Sequence, residues 1–396
     1  MMMGSRSGSN ERLSDKPLFG RMRRLATLGL LALAAGCTVI PKQKPQGPPP
    51  APVEAAPQAN VLPTDADRHR VALLLPLSGA NAAVGEAIAN ATTMALLDTN
   101  AKTLRITSYD TATGAGQAAA KAVQDGNQLI LGPLLADEVQ AVAAVARPAH
   151  VPMITYSNDV GVADRDVFVL GQVPGQSVAR VVGYARAHGV TALGAIVPGG
   201  IYGQRVTAAL ASATRNSGVK LTSVETYDRS NTSVGSAMRR VLAKGHVDAV
   251  LIADGARIAL QAASFASGAR LIGTELWNGE AAVARSPAMK GAWFATVSDQ
   301  RFGQFEKSYR NRFGTAPARI ATIGYDSVLL TLNIARTWKP GTLFPTAKLY
   351  DPQGFIGLDG VFRFNEFGVA ERAMEVREVT NGTFVTASPA PAKLAP

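Results

Sequence analysis

Cysteine occurs once in these 396 residues, at Cys37, so no intramolecular disulfide can form. The four histidines, His69, His150, His188 and His246, are far apart in the chain. No pair has metal-ligand spacing, and there is no H-E-x-x-H, so a metal centre is not expected and the histidines read as surface or capping residues. Aromatic residues make up only 6% of the chain and do not interleave with a Lys/Arg stripe, which argues against a nucleic-acid surface. The nucleophile elbow G-x-S-x-G, an S-x-x-K with K-T-G, and a phosphate-binding P-loop are all missing. Neither an enzyme nor a cofactor is therefore expected. The segment "GAGQAA", Gly114 to Ala119, fits a dinucleotide fingerprint in spelling only. It follows the second strand instead of the first and reads as a helix start.

A long apolar run is also lacking. Residues 1–24 are polar and end in Arg21, Arg23 and Arg24; "LATLGLLALAAGC" follows, from Leu25 to Cys37. A basic region, an apolar core of about ten residues and small residues at its end make an export signal too short to span a bilayer. Leu33, Ala34, Ala35 and Gly36 directly before Cys37 resemble the lipobox of bacterial lipoproteins. Cleavage after residue 36 would leave Cys37 as an acylated N-terminus, anchoring the protein to a membrane. Thr38 is not the inner-membrane retention residue, which favours the outer membrane. The formal charge of +11 falls to +7 once the six bases and two acids of residues 1–36 are removed. Residues 37–68 are rich in Pro, Ala and Gln and read as a tether. Roughly 30 residues of polyproline II reach on the order of 90 Å.

From Arg70 onward the pattern changes. Strand-like runs at 71–77, 104–110, 128–134, 151–157 and 167–171 alternate with amphipathic helical stretches, and a second series runs from 192 to 297. Such alternation makes parallel sheets joined by right-handed crossovers, so the expected class is α/β with two doubly wound parallel-sheet lobes and a cleft between them. Helical patterns near 301–314 and 319–338 have no place fixed by period alone. The chain from Gly360 to Ala387 alternates with period two and reads as β-hairpins added to the second lobe. The stretch "ALLLPLSGANAAVGEAI" ends its strand at Ser78 and Gly79, facing a helix start, a natural place for a small anion. These two residues are equally readable as a turn and helix cap.

"VALLLPLSG", "LILGPLLADEV", "VPMITYS" and "IYGQRVTAAL" resemble the type I periplasmic-binding fold of the leucine/isoleucine/valine-binding kind, across about residues 70–385. The resemblance implies two lobes linked by three crossing strands. Residues 69–171 with 299–355 would form lobe one, 172–298 with 356–386 lobe two, and 387–396 a disordered tail. It also implies a cleft contact at Ser78, Gly79, Tyr156, Ser157, Tyr202 and Glu275, the last falling where amino-acid binders carry an acid for the ligand's ammonium. Tyr202 is equally readable as packing. However, Leu135, Ala136 and Asp137 stand where those binders carry a serine-rich turn, and Asp159 adds a like charge near a carboxylate site. A free amino acid in the usual pose is disfavoured.

The spacing Gly357-Leu-Asp-Gly360, then Gly368, Arg372 and Gly382, together with "GTELWN", is similar to the penicillin-binding protein activator lipoproteins of the LpoA type. That resemblance implies a non-catalytic envelope lipoprotein whose partner is a class A penicillin-binding protein. The rival expectation is a transporter's solute receptor with an amino acid or peptidoglycan fragment in the cleft. Replacing Cys37→Ser should release soluble protein or stall the precursor, read by membrane fractionation; unchanged fractionation would refute acylation.

Overall fold

The computed structural model describes residues 67–231 and 233–394. The expected signal peptide, Cys37 and all but the last two residues of the tether lie outside them. Strands β1 (His69–Leu75), β2 (Leu104–Asp110), β3 (Leu129–Leu131), β4 (Met153–Thr155) and β5 (Val167–Val169) alternate with helices α1 (Ala82–Asp98), α2 (Ala115–Gln124) and α3 (Ala136–Ala146). They form one parallel sheet in the order β2-β1-β3-β4-β5. The second series runs α4 (Pro174–Ala187), β6 (Ala192–Pro198), α5 (Ile201–Ser217), β7 (Lys220–Tyr227), α6 (Val234–Ala243), β8 (Ala249–Ile252), α7 (Ala256–Ala263), β9 (Arg270–Gly273), α8 (Ala281–Arg285) and β10 (Trp293–Val297).

Both faces of each sheet are buried, which is why the central strands are continuous apolar runs. In β1, Val71, Leu73 and Leu75 point to one core, and Ala72 and Leu74 point to the other, over α2 and α3. In β8, Val250 and Ile252 face α6 and α7, while Ala249 and Leu251 face α4 and α5. The decoy glycine Gly114 sits at the cap of α2 with φ 135°, a backbone shape that disfavours a side chain. Its role there is to turn the chain into the helix.

Helices α9 (Phe302–Phe313) and α10 (Thr322–Ala335) return to the first lobe, where α10 packs along α1. This is where the resemblance put them. The C-terminal strands divide between the lobes. Strands β14 (Met374–Val379) and β15 (Phe384–Ser388) extend the second sheet, β14 antiparallel to β10 and β15 antiparallel to β14, as expected. Strands β11 (Phe355–Gly357), β12 (Gly360–Phe364) and β13 (Ala370–Arg372) instead form a small separate sheet. Phe355, Phe362, Phe364 and Ala370 bury themselves in the first-lobe core with Leu73 and Phe168. Aromatic side chains at alternate positions needed an apolar wall, and the first lobe offers it. β15 also runs two residues into the segment expected to be a disordered tail, where Arg180 holds the Ser388 hydroxyl at 2.6 Å.

His69 departs from the expectation of surface or capping histidines. It is buried in β1 and stacks on Trp338 with ring centroids 3.9 Å apart, and burial lowers its pKa. His188 caps α4 as expected, with Nδ1 2.8 Å from the Tyr184 carbonyl.

The chain passes between the lobes three times: after β5, after β10 and after β13. At the β11–β12 turn, a Cβ on Gly357 would lie 2.3 Å from the buried Asp326 carboxylate. Gly357→Ala should therefore destabilise the fold by about 1–3 kcal/mol, the usual cost of overpacking, as read by urea unfolding. An unchanged midpoint would show that the contact yields freely.

Candidate ligand cleft

The first turn does hold an anion, but it is the protein's own. Asp110, the last residue of β2, lies beside the end of β1 because the two strands pair in register, Leu75 against Asp110. Its carboxylate accepts the Leu77 N–H at 2.8 Å, the Ala112 N–H at 2.9 Å and the Ser78 hydroxyl at 2.6 Å. The Ser78 bond is the main cause holding Asp110 below the usual carboxylate range. Ser78 and Gly79 are exposed and do not line the cavity described next.

That cavity, of about 420 Å³, lies between the lobes beyond the C-terminal ends of the strands. In open α/β sheets this is where the loops after the strands converge and where ligands bind. Lobe one contributes Val84, Leu134, Leu135, Ile320 and Ile323, an apolar wall where amino-acid binders carry hydroxyls. Tyr156 and Glu275 both reach the cavity. Tyr156 is buried, its hydroxyl 2.8 Å from the Ser327 hydroxyl on α10, and burial pushes its pKa up. Ser157 is buried behind it, where its hydroxyl accepts the Asp159 N–H at 3.0 Å and so shapes the turn after β4.

Tyr202 and Glu275 come together in lobe two, as the sequence suggested. The Tyr202 hydroxyl donates to Glu275 Oε1 at 3.1 Å, and Glu275 Oε2 is bonded to the Ser177 hydroxyl on α4. The Ser177 hydroxyl also lies 3.0 Å from the Pro174 carbonyl. Its single proton can serve only one of these acceptors. A protonated Glu275 donating to Ser177 satisfies both, in keeping with the upward push that burial gives the Glu275 carboxyl. Tyr202 is pushed up too, chiefly by burial.

Sequence reasoning missed the groups on the crossing segments. Arg319, just before α10, bonds Asp359 Oδ1 at 2.8 Å and Asp299 Oδ1 at 2.9 Å. Burial works against the Arg319 charge, but Asp359 and Asp299 outweigh it and raise its pKa. Asp299 also takes Arg377 at 2.6 Å. Asp326, fully buried on α10, accepts the Leu358 N–H at 2.6 Å and the Asp359 N–H at 3.4 Å. Arg372, at the end of β13, is 6% exposed and gives Nη2 to the Leu170 carbonyl at 2.6 Å. Arg319, Asp359, Arg372 and Asn278 all line the cavity. The signal available was the "GLDG" turn and a lone arginine ending an apolar hairpin. Outside the cavity lining, Asp159 of lobe one pairs with Arg205 of α5 in lobe two. The acid that looked like a repulsive neighbour for a ligand thus ties the two lobes together. Among the described residues, no group of three or more His, Cys, Asp and Glu could hold a metal ion, and no helix is long and apolar enough to cross a membrane.

The model of the periplasmic binding protein family matches residues 69–383, most of the chain. The chain belongs to the periplasmic binding protein family. Among solved structures of this fold, it is similar to a leucine binding protein of Thermotoga maritima, with TM-score 0.64, 18% identity and coverage of 81% of this chain and 98% of the other. It is also similar to a solute binding protein of an ABC transporter from R. palustris in complex with benzoate, with TM-score 0.63, 19% identity and coverage of 83% and 98%. At these identities the likeness is one of fold. A curated relative, an uncharacterized protein of Rickettsia prowazekii, is 27% identical over 173 residues, 43% of this chain. The chain spans 46% of that relative's length.

The buried carboxyl on α10 gives a pH test. Burial first, then the neighbouring Asp359 charge, pushes Asp326 from 3.8 up to about 7, against the pull of Arg372. Between those values the folded state keeps a proton that the unfolded chain releases, so ionising Asp326 costs stability as pH rises from 3.8 to about 7. Asp326→Asn keeps an acceptor for Leu358 and cannot ionise. Its urea midpoint relative to wild type should improve as pH rises across that window, and parallel curves would contradict the assignment.

Proposed function

We propose that the protein is a non-catalytic small-molecule receptor of the cell envelope, facing the periplasm and held to the outer membrane through acylated Cys37, and that its two lobes close on one small organic ligand. The observation that carries this reading is the cavity of about 420 Å³ between the lobes, with an apolar wall and a few polar groups. Volume and lining both suit a small organic molecule. Tyr156, Tyr202 and Glu275 are the contacts proposed from the original set, Tyr202 acting through the Glu275 carboxyl. Ser78, Gly79 and Ser157 serve the walls instead, Ser78 by holding Asp110 and Ser157 by shaping the turn at Asp159. The family membership and the ABC-transporter receptors among the structural likenesses support the reading.

A second reading has one observation in its favour. Asp110 fills the first turn, which removes the usual cradle for an amino acid's carboxylate. That fits a lipoprotein whose cleft has left amino-acid transport and whose partner is a class A penicillin-binding protein, the role suggested by the lipobox, the tether and the tail spacing. The two readings separate in one pair of experiments. A thermal-shift screen of periplasmic metabolites should give a compound that stabilises by RT ln(1 + [L]/Kd), about 2.7 kcal/mol at a hundredfold excess over Kd. Flat melting across the screen, with an increase in glycan polymerisation when purified protein is added to a co-resident synthase, would overturn the receptor reading in favour of the regulator.

A further inference from the structure

Four charged residues line the cleft cavity, and three already have partners. Arg319 and Asp359 bond each other. Both oxygens of Glu275 hold hydroxyls, those of Tyr202 and Ser177. Arg372 differs. Its Nη2 has a hydrogen-bond acceptor, the Leu170 carbonyl, while Nε and Nη1 are buried and meet no acceptor among the described residues. Its one aromatic contact is the Phe362 ring, 5.1 Å from the guanidinium carbon. A buried cation with idle donors is costly unless something supplies the missing acceptors. Asp326 attracts the Arg372 charge but makes no hydrogen bond to it; its oxygens accept the Leu358 and Asp359 N–H groups. Asn278 adds a second unpartnered group to the same cavity, its buried Oδ1.

We propose that the cleft takes a small organic acid with an apolar body, and that Arg372 holds its carboxylate. This rests on the receptor reading above and names its ligand class. The apolar body lies against Leu134, Leu135, Ile320 and Ile323, and Asn278 Oδ1 accepts from any hydroxyl or ammonium the acid carries. The anchor thereby moves from the first turn, where Asp110 blocks it, to the third crossing of the chain. Because Arg372 also bonds Leu170 on the first crossing, the bound acid sits against two of the three connections on which the lobes close.

The test is isothermal titration of the mature chain with 4-methylpentanoate and 4-phenylbutanoate, each against its amide. The acids should bind at least about tenfold more tightly than the amides, the factor that charge-assisted hydrogen bonds supply. Arg372→Gln should weaken the acids by at least about tenfold and the amides by clearly less, closing most of the gap between them, with Arg372→Lys in between. Should Arg372→Gln fail to fold, the Nε–H resonance of Arg372 in the wild-type protein, assigned with Arg372→Lys, must shift on adding 4-methylpentanoate. Equal affinity for acid and amide, an unmoved Nε–H signal, or binding of some other class of metabolite while both acids fail would overturn the proposal and leave the receptor reading standing. Failure of every metabolite would remove both.

Discussion

A small set of buried charges holds the segments where the chain crosses between the lobes. Asp299 on the second crossing binds Arg319 from lobe one and Arg377 from lobe two, and Arg319 in turn binds Asp359 on the β11–β12 turn. Asp326 holds that turn by its backbone N–H groups, and Arg372 ties the third crossing to the first. A buried ion pair is poor support for stability in itself, since desolvation offsets much of the attraction. Its use here is positional. Removing Asp299 would take one of two carboxylates from both Arg319 and Arg377, so each charge in the set depends on the geometry of the others. The Asp159–Arg205 pair between the lobes adds a contact that is more accessible to water and hence weaker.

The same cluster explains the pattern of residues around the tail. Gly357 is small because the Asp326 carboxylate lies where its side chain would be. Asp359 is acidic because Arg319 and the Thr322 hydroxyl point at it, and Arg372 is where the hairpin ends and the second sheet begins. The spacing that resembles the penicillin-binding protein activators is thus also the spacing needed to close a charged turn against a buried helix. It describes the architecture of the crossings and leaves the partner to be decided by experiment.

Most of the fold was legible in the sequence because burial on both faces writes a strand as a plain apolar run. Val71 to Leu75 and Ala249 to Ile252 could hardly be read otherwise. The placement of α9 and α10 came only with the family resemblance, since a helix returning to an earlier lobe leaves no mark in its own period. Strands β12 and β13 of the small sheet were read as strands but given to the second lobe, and β11 was not read as a strand. The sheet's aromatic face fits either lobe by pattern, and only the packing against Phe168 and Leu73 decides. The site was less legible. Ser78 looked like an anion contact because a serine-glycine turn before a helix is one, and the anion proved to be Asp110, thirty-two residues on. Arg372 and Asp326 owe their importance to burial, which no local motif records.

The cleft keeps the family's shape, and the anchor proposed for its ligand lies at the crossings, not at the first turn. A crystal structure of the protein purified from its own cell envelope, without exchange of bound molecules, tests this most directly. The account predicts one small organic acid between the lobes with its carboxylate on Arg372 and its carbon skeleton against Leu134 and Leu135. An empty cleft, or a ligand whose acidic group displaces Asp110 and sits on Ser78, would contradict it.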